Sequence, residues 1–191
     1  MKRRALNKLL LALAVGTALP TLGGCGFELR HPPQMAFKSI QLTGFAGNSP
    51  FASELARSLE DAGVAVVDST AAAAAQTASG AASGTAVLST HVVLEALSDS
   101  REQSVASTTA FGQVRDLSLR TRFRFRLARA DGSDVIAATE LVLTSDLPYN
   151  EKDALAKMDE SAALHRAMQT DIVQQVMRRL AAVRPAQLAT P

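Results

Sequence analysis

The clearest pattern of apolar and polar positions in the chain runs through residues 117–127. Leu117, Leu119, Phe123, Phe125 and Leu127 share one parity, and Ser118, Arg120, Arg122, Arg124 and Arg126 share the other. A period of two is the side-chain repeat of a β-strand, so a strand is predicted over about 114–129, with one apolar face and four guanidinium groups in line on the opposite face, about 7 Å apart. Thr121 is the one polar side chain on the apolar parity. Residues 37–43 alternate around Ile40 and Leu42 and predict a first strand ended by Gly44. Ser49 followed by Pro50 is a helix start, because the hydroxyl caps free amides and proline fills a position that needs no donor. Phe51, Leu55, Leu59 and Ala62 then recur at helical spacing up to Gly63.

Residues 69–85 carry only alanine, serine, threonine, glycine and one glutamine, too little apolar surface to offset the entropy of ordering, and are expected to form a mobile surface insertion. Aliphatic and β-branched residues resume over 87–97 and the chain stays extended toward Val105, with a turn near 108–112. Asp131-Gly132 is a hairpin signal leading into a strand over about 135–145. The last element is a long helix. Asn150 caps it, Glu151 and Asp153 lie near its start and Arg178 and Arg179 near its end, an order that complements the helix dipole. Leu155, Met158, Ala162, His165, Met168, Ile172, Val176, Leu180 and Val183 form one stripe expected to pack on the sheet, with His165 a partly buried packing residue, and Pro185 ends the helix. The order strand, helix, three strands, helix defines an α+β class with the sequence β-α-β-β-β-α.

The amino terminus follows a different logic. Lys2, Arg3, Arg4 and Lys8 precede an apolar run over 9–19, and Leu22-Gly23-Gly24 leads to Cys25, the chain's single cysteine. This is the layout of a lipoprotein signal. The apolar run is too short to span a bilayer, since eleven residues of helix reach only about 16 Å of a hydrocarbon layer about 30 Å thick. Residues 1–24 are expected to be cleaved and Cys25 to carry an N-acyl and an S-diacylglycerol group, several chains that together make a stable anchor. Gly26, rather than an aspartate, after Cys25 points to an outer-membrane destination. Residues 25–35, with Pro32 and Pro33, read as a tether, 36–185 as a single domain and 186–191 as a tail.

Removal of the leader changes the charge picture. Of 20 basic and 18 acidic side chains, four basic ones lie in 1–24, so the remainder is formally −2 and gives no reason to expect a nucleic-acid partner. No metal or cofactor is expected either. His31, His91 and His165 are scattered without ligand spacing, and there is no nucleophile elbow, phosphate-cradling glycine loop or HExxH. A binding or structural role is therefore expected, with no catalytic residues. The arginine face is either the solvated side of a sheet whose helices pack on the other side, or a surface that meets phosphates or a partner's carboxylates.

Taken together, Cys25-Gly26-Phe27-Glu28-Leu29-Arg30, the alternating segment 120–127, and the helix from Ala154-Leu155-Ala156-Lys157 through Met168, Asp171, Gln175 and Arg178-Arg179-Leu180 resemble the LPS-assembly lipoprotein LptE family. The resemblance spans nearly all of the chain after the leader except the alanine-rich segment. It implies two helices layered on one face of a four-stranded sheet, and a lipid-anchored plug on the periplasmic side of the outer membrane. It further implies the LptD β-barrel as partner and lipopolysaccharide as ligand, with no enzyme activity. On that reading Arg120, Arg122 and Arg124 are the expected contacts to lipopolysaccharide or to the partner, with Arg101 and Arg115 as further candidates. The competing reading is an unrelated outer-membrane lipoprotein that scaffolds peptidoglycan or another envelope complex.

Overall fold

The computed structural model describes residues 34–69, 71 and 91–189. The readings of the leader, of Cys25, of the tether up to residue 33 and of all but two residues of the 69–85 segment lie outside the described residues. The elements are β1 (Ser39–Thr43), α1 (Pro50–Asp61), β2 (Ala65–Val67), β3 (His91–Thr108), β4 (Val114–Arg129), β5 (Asp134–Pro148) and α2 (Ala154–Ala181), with short 3-10 turns at Glu151–Asp153 and Pro185–Gln187.

The strands form one mixed sheet in the order β2-β1-β3-β4-β5. β1 runs parallel to both neighbours, Ile40 facing Val66 on one side and Val92 on the other. β3, β4 and β5 form an antiparallel meander in which Phe123 is paired with both Asp99 and Leu141. The sheet thus has five strands where four were expected, and β2 is the addition. Its three residues are too few to show any period, and its hydrogen-bonding partner is β1, reached only through the α1 crossover.

Local chemistry explains the element ends. The Ser49 hydroxyl accepts from the Ala52 amide at 3.3 Å, and Pro50 takes the first helical position of α1. At the other end Gly63 adopts the left-handed conformation at φ 79°, its amide bonding the Glu60 carbonyl at 2.9 Å while Val64 N–H reaches Leu59 O at 3.0 Å, which turns the chain back into β2. Gly44 is required for a second reason. Its φ is 78°, and a Cβ there would lie 2.2 Å from the Ala96 carbonyl oxygen.

Both helices lie on one face of the sheet. Phe51, Leu55 and Leu59 of α1 and Ile172, Val173, Val176 and Leu180 of α2 pack with Ile40, Val92, Leu94, Phe123, Phe125 and Leu127 in the main core. Phe51 stacks on Phe123 with ring centroids 4.2 Å apart, and Phe123 on Phe125 at 5.5 Å. A smaller core of Leu117, Leu119, Leu147 and Met168 lies toward the β3–β4 turn. The polar intrusion at Thr121 finds a partner there, because its hydroxyl meets His165 Nδ1 at 3.2 Å.

The α2 stripe differs from expectation. Leu155 is 77% exposed and Met158 67%, so burial begins only around Leu164 and His165. Leu155 and Met158 each lie eighteen residues, five full turns, before buried Val173 and Val176 and so point the same way around the helix; the stripe keeps its direction, and it is the first turns of α2 that lack cover among the described residues. Beyond α2, Leu188 is buried in the main core, tying the chain past Pro185 to the domain. All described residues belong to one compact unit.

Candidate functional site

The face of β4 opposite the helices carries the arginine row, and the flanking strands decide what each guanidinium meets. Arg120 stands between Glu102 of β3 and Thr144 of β5, Arg122 between Ser100 and Val142, and Arg124 between Ser98 and Glu140. Arg126 donates from Nε to Glu95 Oε2 at 2.7 Å, brings Nη2 within 2.6 Å of the same oxygen, and lies 3.4 Å from Asp134. The hydrogen bond and charge of Glu95 push the Arg126 pKa up. Arg122 Nε sits 3.4 Å from Glu140 Oε1, an ion-pair distance without hydrogen-bond geometry. Arg120 and Arg124 are exposed and make no ion pair among the described residues. The row is therefore alternately paired and unpaired, with the two uncompensated cations about 13 Å apart along the strand.

Arg101 and Arg115 do not join this row. Ahead of the bulge between Ala96 and Ser98, Leu94 and Ala96 face the helix side; beyond it Ser98, Ser100 and Glu102 align with the arginines, so Asp99 and Arg101 face the helices. One extra residue exchanges the faces of everything that follows it. Arg101, paired across the sheet with Thr121, donates from Nη2 to Gln169 Oε1 of α2. Burial pushes the Asp99 carboxyl up while the nearby Arg101 charge holds it down. Arg115 has the parity of Leu117, its side chain is largely exposed, and its Nε is 3.7 Å from Asp116. The five candidate arginines thus fall on different surfaces: three on the outer face, one between sheet and helices, and one at the end near the β3–β4 turn.

A polar network that the linear pattern did not single out lies between the helices. Gln169, buried, donates from Nε2 to Glu54 Oε2 at 2.5 Å, and Thr170 donates its hydroxyl to Glu54 Oε1 at 2.6 Å. These residues are more than a hundred positions apart, and no local signal joins them. At the far end of the sheet, Phe111 in the β3–β4 turn is 92% exposed, close to where β5 ends beside the start of β4 and α2 begins with its exposed Leu155 and Met158. Among the described residues no group of three or more His, Cys, Asp or Glu could hold a metal, and no helix is long and apolar enough to cross a membrane.

A mixed sheet with two helices on one face is an α+β architecture shared with several solved lipoproteins. An uncharacterized lipoprotein B from Nitrosomonas europaea is 27% identical, with a TM-score of 0.64 over 82% of this chain and 91% of that one. The rare lipoprotein B from Shewanella oneidensis shares the fold at 18% identity and a TM-score of 0.60, covering 76% of this chain and 95% of that one. A minor lipoprotein from Acinetobacter baumannii does so at 16% identity and a TM-score of 0.57, over 76% and 92%. Comparison with curated protein sequences finds no match. The model of the LptE lipopolysaccharide-assembly family matches residues 37–180, every strand and nearly all of both helices, and the chain belongs to that family. Its members are LPS-assembly lipoproteins and not enzymes, and membership sets aside the reading as an unrelated envelope scaffold.

Proposed function

We propose that this protein is acylated on Cys25, held at the periplasmic side of the outer membrane, and seated as a plug in the LptD β-barrel, where it binds lipopolysaccharide on its way to the outer leaflet. The observation that carries this reading is the family match across residues 37–180. The surface described above supports it. Arg120 and Arg124 are exposed cations with no carboxylate within ion-pair distance among the described residues, so binding a phosphate there breaks no pair described above, and a guanidinium offers phosphate a charge-assisted, two-pronged contact. Arg122 must share itself with Glu140 and contributes less. Phe111, Leu155 and Met158 supply apolar surface for acyl chains or the barrel wall.

The test is purification of the tagged, detergent-solubilised protein from membranes, with the lipopolysaccharide affinity of the recovered material measured against salt. Wild-type protein brings LptD with it, and Arg120→Glu with Arg124→Glu weakens lipopolysaccharide binding and flattens its salt dependence. Recovery without a barrel partner, together with unaltered glycolipid affinity in the double variant, would contradict the reading.

A further inference from the structure

A groove opens between α1 and α2, on the opposite side of the sheet from the arginine row. It encloses about 940 Å³, and cations reach it from three elements: Arg57 of α1, Arg101 of β3 and Arg166 of α2. Arg57 and Arg166 are exposed and form no ion pair among the described residues, Arg57 donating only to the Ser53 carbonyl at 3.3 Å. Arg101 is held from behind. One of its Nη groups is fixed on Gln169, whose own amide is clamped by Glu54, so the guanidinium is oriented while other donors remain unused. Both Glu54 oxygens are already engaged, by Gln169 and Thr170, and Asp61 is the one lining carboxylate that makes no hydrogen bond or ion pair among the described residues.

We infer that this interhelical groove is a second binding site, for a ligand that carries a phosphate group on a sugar-sized body. Three arginines line one groove, so an anion with several acceptor oxygens has more than one guanidinium available to it, and the planar fork of arginine matches phosphate in particular. The groove is open and far larger than a bare inorganic anion, which leaves room for a phosphate attached to a larger body. The hydroxyls of Ser53, Ser161 and Thr170 line the same walls; each already donates its proton, to Ser49 O, Met158 O and Glu54 Oε1, so they are free to accept from the hydroxyls of a polyhydroxylated body. Neither the arginine row nor a barrel partner is needed for this site.

The experiment is an NMR titration of the full chain in detergent micelles with glucose 1-phosphate, with inorganic phosphate as the minimal probe. The expected result is saturable shifts at the Gln169 side-chain amide and the Thr170 backbone amide, weakened at least about tenfold by Arg57→Gln with Arg166→Gln, two exposed positions whose loss leaves the core intact. Arg120→Gln with Arg124→Gln, on the other face, leaves the affinity unchanged. Competition by intact but not by dephosphorylated lipopolysaccharide assigns the phosphate to a lipid headgroup; binding of the sugar phosphate without such competition assigns it to a free ligand. Absence of shifts at Gln169 and Thr170, or equal affinity in wild type and the Arg57/Arg166 double variant, overturns the inference and leaves the outer-face reading standing.

Discussion

The two faces of β4 belong to one strand and one register, yet they serve different ends. Leu119, Phe123, Phe125 and Leu127 are fully buried beneath the helices, while Arg120 and Arg124 alternate with them and stay in water. Burial of a large apolar side chain contributes about 1.5–3 kcal/mol, whereas an exposed ion pair contributes at most about 1 kcal/mol. Stability therefore resides on the helix face, and the outer face is free to be specified by what it binds.

The sharpest way to break that division is on the buried side. Phe123→Ala removes a ring stacked on Phe51 and Phe125 and should cost about 3–5 kcal/mol in urea denaturation. A loss well under 1 kcal/mol would mean the core does not centre on β4. Gln169→Leu leaves Glu54 and Arg101 without their shared amide, and a loss of about 1–3 kcal/mol is expected; a neutral result would show that water replaces the amide without cost.

Titration sharpens the same contrast. His91 is buried, with Nδ1 3.0 Å from the Ser39 hydroxyl and Nε2 without a hydrogen-bond partner among the described residues, and burial pushes its pKa below 6.5. His165 is lowered as well, first by burial and then by Arg101. In both cases the unfolded chain takes up the proton at a higher pH than the folded one, so stability is lost as pH falls below 6.5 toward the folded pKa. His91→Gln should flatten the stability profile between pH 6.5 and 5 relative to wild type, and an unchanged slope would remove His91 as its source. The smallest effect belongs to the outer face: Arg120→Gln with Arg124→Gln should leave the denaturation midpoint unaltered.

Much of this was legible in the chain. The parity of 117–127 separated core from surface on β4 residue by residue, and the Ser49-Pro50 start and the Asp131-Gly132 turn placed their elements because each is a local steric or hydrogen-bonding requirement. What escaped is non-local. β2 is defined by pairing with β1 across a helix, and three residues cannot announce that. The bulge after Ala96 exchanges the faces of β3 and carries Arg101 to the helix side, although simple alternation from Glu95 would have aligned it with the arginine row. The partners of the α2 stripe were equally hidden: Thr121 looked like a flaw in an apolar face until His165 came to lie above it.

The central claim, that the outer face of β4 is the surface which meets lipopolysaccharide and the barrel, is tested most directly by photocrosslinking in intact cells from positions 120, 122 and 124, with exposed Arg178 of α2 as the reference. The account predicts lipopolysaccharide adducts from 120 and 124 above those from 178, and an LptD adduct from at least one position in the row. Adducts from the row no more frequent than from 178, with LptD absent from all of them, would contradict it.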